Sequence, residues 1–159
     1  MKIKIGLGYD IHRLQTGRKL FLGGIELDFP QGLSGHSDGD CLIHAVIDAL
    51  LGAMGEGDIG QMFPDTDPLY KDIRSTELLK QVVERCNAQG WRIAHIDSVV
   101  IAERPKISSS IGGMKEALCP LLQISEKDLG IKAKTNEGMG LIGEGKAIAA
   151  FAQALILSR

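Results

Sequence analysis

Three of the four histidines stand close to carboxylates in the first third of the chain: Asp10-Ile11-His12, His36-Ser37-Asp38-Gly39-Asp40, and then His44. Carboxylate and imidazole are ligand types of a catalytic zinc, and three protein ligands leave a position for a substrate oxygen. Asp10 and His12 are two residues apart, so on an extended strand both side chains leave the same face. His44 reads as helical, so the three meet only through the fold. Asp40, His44 and Asp48 fall at i, i+4 and i+8, one polar stripe on a helix otherwise built from Leu, Ile, Val and Ala. Such a stripe needs partners, because an unpaired buried charge is very costly. A metal whose ligands are backed by Asp40 and Asp48 would satisfy it, and a structural salt-bridge cluster is the alternative.

Other segments carry weaker chemistry. Gly57-Asp58 and Phe63-Pro64-Asp65-Thr66-Asp67-Pro68 add carboxylates that either shape turns or recognise hydroxyls. Arg104-Pro105-Lys106 and Lys134-Thr135-Asn136-Glu137 each follow a strand, where a cation, a hydroxyl and backbone amides can surround a phosphate. Gly138-Met139-Gly140-Leu141-Ile142-Gly143 spells GxGxxG, but no βαβ unit surrounds it and no acidic residue follows Glu144, so it is not a dinucleotide site. No G-x-x-x-x-G-K-[ST] loop is present. His95, on a strand face with Ile93 and Asp97, reads as structural.

The elements that must position these groups follow from periodicity. Ile3, Ile5, Leu7 and Tyr9 alternate along a strand that ends in Asp10 and His12. Lys19 to Asp28 fits a small hairpin broken by Gly23-Gly24. Residues 31–39 and 55–70 read as loops. The histidine helix is expected from Ser37, with Asp40 three residues later as a capping box, through Met54. A second helix is expected from Ser75 to Gln89, with Gly90 after it, and a third from Ile107 to Leu122. Strands are expected over 91–103 and 131–135. The run 147–157 is ambiguous: its alanines favour helix, while its apolar length suits a buried strand.

Composition narrows the function classes. The 159 residues suit one domain, 1–159, that buries roughly 70 % of its unfolded surface. A net charge of −2 without like-charge blocks, and only seven aromatic residues, argue against nucleic acid or an anionic membrane as partner. Three cysteines in apolar contexts with no CxxC pair read as reduced core residues. With no signal-like or spanning run, a cytoplasmic protein is expected.

Taken together, Gly8-Tyr9-Asp10-Ile11-His12-Arg13, Leu22-Gly23-Gly24, His36-Ser37-Asp38-Gly39-Asp40-Cys41-Leu42-Ile43-His44-Ala45 and Gly57-Asp58-Ile59-Gly60 with Phe63-Pro64-Asp65 closely resemble the 2-C-methyl-D-erythritol 2,4-cyclodiphosphate synthase family. Ala102 through Pro105-Lys106 and Lys132 through Glu137 match it too, so the resemblance runs nearly end to end. It implies an α+β fold: a β-α-β-α-β-β mixed four-stranded sheet with helices on one face and a small N-terminal hairpin. It makes the C-terminal run a strand. It also implies a lyase of the non-mevalonate isoprenoid pathway, in which a substrate phosphate attacks a neighbouring phosphate and CMP leaves.

On this resemblance Asp10, His12 and His44 bind one Zn2+ per subunit, His36 and Thr135 stabilise the transition state, and Glu137 binds a second cation, Mg2+ or Mn2+. Asp10, His12, His36 and Ser37 also meet the substrate. Asp58, Ile59 and Gly60 meet its erythritol part, with Phe63, Pro64, Asp65, Thr66 and Asp67 nearby. Ala102, Pro105, Lys106, Ile107 and Ser108 form the cytidine pocket with Ala133, Lys134 and Thr135, and Asn136 also contacts substrate. The family is a homotrimer whose sites lie between subunits. Leu141 and Glu144 replace the Phe and Arg that many members place around a central cavity able to hold an isoprenoid diphosphate, and a Glu there repels such a ligand. Lys134 stands where some members have Thr. A zinc phosphoesterase and a non-catalytic zinc-stabilised module are the rival readings. The second is opposed by the separation of the cysteines, which a closed structural zinc site would normally gather.

Overall fold

The computed structural model describes all residues, 1–159. Strand β1 (Ile3–Thr16) leads into a hairpin of β2 (Leu20–Leu22) and β3 (Ile25–Leu27), turned at Gly23 and Gly24, which both take positive φ. A short β4 (Gln31–Leu33) pairs back onto the end of β1. Then come α1 (Cys41–Met54), the single turn α2 (Ile59–Met62), α3 (Ser75–Ala88), β5 (Trp91–Ile101), α4 (Ile111–Leu122), β6 (Leu129–Lys134), the turn α5 (Gly140–Gly143) and β7 (Ala147–Ser158). The sheet order is β4-β1-β7-β5-β6, with β7 antiparallel to both neighbours and β5 parallel to β6. The expected mixed sheet of four strands is present with β4 added at its edge. Two expected loops thus contain structure: β4 lies within 31–39, and α2 with a 3-10 turn at Pro68–Tyr70 lies within 55–70. No helix is long and apolar enough to cross a membrane.

Glycine decides which face of β1 meets the helices. The alternating apolar residues Ile3, Ile5, Leu7, Tyr9 and Ile11 point away from α1 and are 41–70 % exposed. The opposite face carries Gly6 and Gly8, and α1 lies directly on them. A Cβ at Gly8 would sit 1.9 Å from the Ala45 carbonyl oxygen, and one at Gly6 would sit 2.0 Å from that of Ala49. Asp10 and His12 continue this glycine face, so they point into the helix layer. Gly8→Ala must push α1 off the sheet. It is expected to cost about 3 kcal/mol, the upper end for overpacking, and to lower the melting temperature by roughly 10 °C in thermal circular dichroism.

The C-terminal run is the strand that the resemblance implies, against the helix preference of its alanines. β7 lies between β1 and β5, and Ala150, Ala152 and Ala154 are fully or almost fully buried. Small side chains here let α1 approach the sheet, so burial overrides intrinsic propensity. A register shift between Ile93 and His95 separates two residues that plain alternation puts on one face. Ile93 turns into the core and His95 is exposed.

Helix α1 begins at Cys41 rather than Ser37. Asp40 is its cap, accepting the Ile43 N–H at 3.1 Å. Ser37 and Asp38 therefore stay in the preceding loop, where both are buried. Gly39 in that loop takes a φ of +77°, and a Cβ there would meet the Leu33 carbonyl at 2.6 Å. Glycine is the residue that permits this turn.

Candidate metal centre and active site

His44 enters the helix layer from the first turn of α1, facing Asp10 and His12 at the end of β1. The donor atoms converge. Asp10 Oδ2 lies 2.8 Å from His12 Nε2 and 2.9 Å from His44 Nδ1, and the two imidazole nitrogens are 3.1 Å apart. His44 is buried and the other two are partly buried. The predicted triad is thus brought together.

The outer nitrogen of each ring shows what these inner atoms are. His12 Nδ1 lies 2.5 Å from the Ser34 carbonyl, which only accepts, so Nδ1 carries the proton and donates. The lone pair of a neutral His12 is then on Nε2, aimed at Asp10. His44 Nε2 faces the hydroxyls of Ser75 at 2.8 Å and Ser37 at 3.1 Å. Ser75 directs its own proton to Asp38 Oδ1, so it accepts from His44 Nε2–H and leaves the His44 lone pair on Nδ1. Two imidazole lone pairs and a carboxylate oxygen aimed at one point repel unless a cation lies among them. A proton gives partial relief: burial pushes His12 down, but its hydrogen bond and charge pairing with Asp10 outweigh this, and its pKa is raised. Burial pushes the Asp10 carboxyl up, yet the two histidines hold it below the usual carboxylate range. One carboxylate and two imidazoles with inward lone pairs fit a divalent cation with open coordination positions.

The backing of this cluster differs from the predicted carboxylate stripe. Asp40 turns away from His44 and accepts from Gly23 N–H at 2.9 Å and Gly24 N–H at 2.8 Å, tying the hairpin to α1. Complete burial, aided by the neighbouring Asp38 charge, raises its pKa. Asp48 accepts from Ile59 N–H at 2.7 Å, so it positions α2 rather than the histidine. The groups behind His44 are Ser37, Ser75 and, through Ser75, Asp38. Ser75 carries no motif. Its only signal in the sequence is its place at the head of the α3 stripe that continues through Leu78, Leu79 and Val82.

A cleft of about 400 Å³ opens over the triad, lined also by Gly35, His36, Ser37, Ile59, Gly60, Phe63, Asp65, Tyr70 and Leu78. Gly35, Tyr70 and Leu78 were not foreseeable from any motif, although Tyr70 stacks edge-on against Phe63 at 5.3 Å. His36 Nε2 donates to the Asp67 carbonyl at 3.1 Å, which leaves its Nδ1 edge available. Asp58 caps α2 by accepting from Gln61 N–H at 2.9 Å, and Asp67 caps the 68–70 turn. Neither Asp58, Pro64, Thr66 nor Asp67 lines the cleft.

The remaining predicted residues are elsewhere. Asp10 pairs with Ala150, Ala150 with Val100, and Val100 with Ala133. Asp10 and Ala133 therefore share one row of the sheet three strands apart, about 14 Å at ordinary strand spacing. Ala102, Pro105, Lys106, Ile107 and Ser108 follow β5, and Lys134, Thr135, Asn136 and Glu137 follow Ala133 at that far edge. None of them lines the cleft. There Thr135 Oγ1 donates to Glu137 at 2.6 Å, and Glu103 accepts from Asn136 N–H at 3.1 Å. The three cysteines are free and buried, and burial pushes the Cys86 thiol up to about 11, which leaves it unreactive.

Comparison with known proteins agrees over the full chain. Residues 3–157 match the model of the YgbB family. A 2-C-methyl-D-erythritol 2,4-cyclodiphosphate synthase from Caldicellulosiruptor bescii is 51 % identical, covering 96 % of this chain and 98 % of the relative. One of the same name from Treponema denticola is 50 % identical, covering 99 % and 98 %. Among solved structures, the CDP complex of Plasmodium falciparum IspF superposes with a TM-score of 0.87 at 35 % identity, covering 99 % of this chain and 97 % of that one. The bifunctional IspDF of Campylobacter jejuni reaches 0.95 at 36 % identity, with this chain covering 43 % of its length. End-to-end identity at this level, on a matching fold, places this chain in the YgbB family.

Proposed function

We propose that the chain, as one synthase domain over 1–159, converts 4-diphosphocytidyl-2-C-methyl-D-erythritol 2-phosphate into 2-C-methyl-D-erythritol 2,4-cyclodiphosphate and CMP. The observation that carries this reading is the convergence of Asp10, His12 and His44 on the wall of a cleft that continues to Gly60 and Asp65. A 2-phosphate oxygen forms the new bond to the β-phosphorus. The bond from that phosphorus to the oxygen bridging it to the α-phosphorus breaks, and CMP departs with the electron pair. The nucleophile is already anionic, so no protein base is needed, in keeping with the one Ser–His contact of the cleft, Ser37 with His44, in which His44 Nε2–H donates and so is no base.

Asp10, His12 and His44 hold Zn2+, which supplies Lewis-acid polarisation of a phosphoryl oxygen and offsets phosphate charge. His36 meets phosphate as an imidazolium, donating from Nδ1 while Nε2–H stays on the Asp67 carbonyl, and Ser37 supports the same loop. The N-terminus of α2, with Ile59 and Gly60, receives the erythritol part, with Asp58 holding that turn. Phe63 and Asp65 form the adjacent wall, and Pro64, Thr66 and Asp67 set the course of the loop. Holding both phosphates in attack geometry supplies roughly 7–11 kcal/mol, the range of well-oriented intramolecular reactions.

The cytidine-binding and second-cation residues come from a neighbouring copy in a homotrimer. Two facts support this: the far-edge set, including Thr135 and Glu137, is three strands from the triad, and the open sheet face is apolar. Tyr9 and Phe151 stack there at 4.6 Å beside exposed Ile5 and Leu7. A face of that kind marks an interaction surface. Ala102 to Ser108 and Ala133 to Asn136 then close over the cytidine, and Glu137 binds Mg2+ or Mn2+ with the diphosphate.

Phosphorus NMR of the turnover mixture tests the function. A cyclic diphosphate plus CMP is expected. Free phosphate would instead show a zinc phosphoesterase. Chelation is expected to stop turnover with the circular dichroism spectrum unchanged, whereas unfolding would mean a purely structural metal.

Leu141 is 53 % exposed, and Glu144 pairs with Lys146 at 2.6 Å. Where many members of the family place an Arg, Glu144 stands and engages Lys146, so the protein is expected to retain no geranyl diphosphate in equilibrium dialysis. Stoichiometric retention would overturn that expectation.

A further inference from the structure

We infer that Ser75 and Asp38 are positioning residues for the metal: they hold His44 in the tautomer that presents Nδ1 to the cation. This rests on reading Asp10, His12 and His44 as a metal centre, but it concerns residues outside that set. Asp38 is itself fixed. Its Oδ2 accepts from Arg74 Nε and from Ser75 N–H, both at 3.0 Å, and its Oδ1 accepts from Asp40 N–H at 3.2 Å. Arg74 is held in turn by donating to the Gly24 carbonyl at 3.1 Å and by lying 3.9 Å over the Phe21 ring. A carboxylate held by these donors offers Ser75 only an acceptor, so the Ser75 hydroxyl proton goes to Asp38. What Ser75 has left for His44 is a lone pair, and His44 Nε2 must bring the proton.

Ser75 is completely buried and Asp38 nearly so, hence water does not compete for these bonds. Ser37 Oγ, which accepts from Gly39 N–H at 3.3 Å, is a weaker second acceptor for His44 at 3.1 Å. The hairpin therefore reaches the metal through Arg74, Asp38 and Ser75. Partners in this position raise the basicity of the ligating nitrogen and fix the ring, and their loss commonly weakens metal binding about 10- to 100-fold.

The test is zinc competition against a chromophoric chelator, with imidazole 15N–1H spectra of the zinc-loaded protein. Ser75→Ala keeps the backbone N–H to Asp38 and removes only the hydroxyl. Its zinc Kd is expected to rise about 10- to 100-fold, with faster solvent exchange of the His44 Nε2 proton. Ser75→Thr, which restores the hydroxyl, is expected to return toward wild type. A purely structural role would leave the Nε2 proton signal unmoved. Equal zinc affinity of Ser75→Ala and wild type overturns the inference. So does a wild-type His44 whose Nε2 bears no proton, a result that needs no variant to fold. Failure of the wild type to take up zinc would bring down the metal reading first, and this inference with it.

Discussion

His44→Ala is expected to abolish stoichiometric binding of the divalent cation and to lower turnover by about 10³-fold or more, with the fold kept. The magnitude follows from the chemistry assigned to the triad. Lewis-acid charge stabilisation is worth several kcal/mol, and at 1.36 kcal/mol per decade about 4 kcal/mol is roughly three orders of magnitude. Two of three donors cannot replace the set, because Asp10 and His12 alone leave the cation on one edge of the strand. The side chain lies in the floor of an open cleft, so water can occupy the space and the core beneath need not collapse. His36→Ala provides the contrast. His36 donates to the Asp67 carbonyl and lies outside the triad, so that variant is expected to keep its metal and lose about 10²-fold in turnover, as for one preorganised donor. Metal content by atomic emission, turnover and far-UV circular dichroism separate the cases. A His44→Ala protein that retains one cation per chain would overturn the triad.

How much of this was readable beforehand depends on the range of the interaction. Asp10 and His12 are two apart on a strand, and their shared face follows from local geometry. His44 stood out as a polar residue on an apolar helix. Their convergence needs β1 and α1 to pack through Gly6 and Gly8, and the alternation of Ile3 through Ile11 suggests the opposite face as the buried one. That stripe stays exposed in the single chain, and hydrophobic alternation alone does not distinguish an exposed apolar face from core. Likewise the alanines of β7 favour helix until the strand is placed in the middle of the sheet. Asp40 and Asp48 share a helix stripe with His44, yet neighbouring backbone N–H groups claim both carboxylates, at the hairpin and at Ile59. Ser75, which touches His44, is 31 residues away in sequence and resembles any polar residue at a helix start. Local periodicity thus brought Asp10, His12 and His44 forward as candidates, the resemblance selected them as a set, and the groups behind them depended on loops meeting across the fold.

The second large effect is a recovery of activity from two inactive proteins. His44→Ala lacks the triad, and Thr135→Ala lacks a hydroxyl at the opposite edge of the sheet, so each homotrimer is expected to be nearly inert. If a site takes its triad from one chain and its Thr135 segment from the next, a mixed trimer contains interfaces where both contributing halves are intact. Such an interface needs a Thr135→Ala chain supplying the triad, beside a His44→Ala chain supplying Thr135. After unfolding and joint refolding at equal amounts, each requirement is met half the time, which gives about a quarter of wild-type activity per site for a closed ring with one site per interface. That lies far above the ~1 % expected to persist from the Thr135→Ala homotrimer on the scale of losing a single donor. A chain that folded its own far edge over its own triad would show no recovery at any mixing ratio. The sheet argues against that closure. Bringing Thr135 to Asp10 within one chain would mean crossing β7 and β5, whose ladders with β1 and β6 run unbroken past Asp10 and Ala133. Mass spectrometry of the refolded mixture confirms that subunits have exchanged, and mixed trimers without activity would place the whole site in one chain.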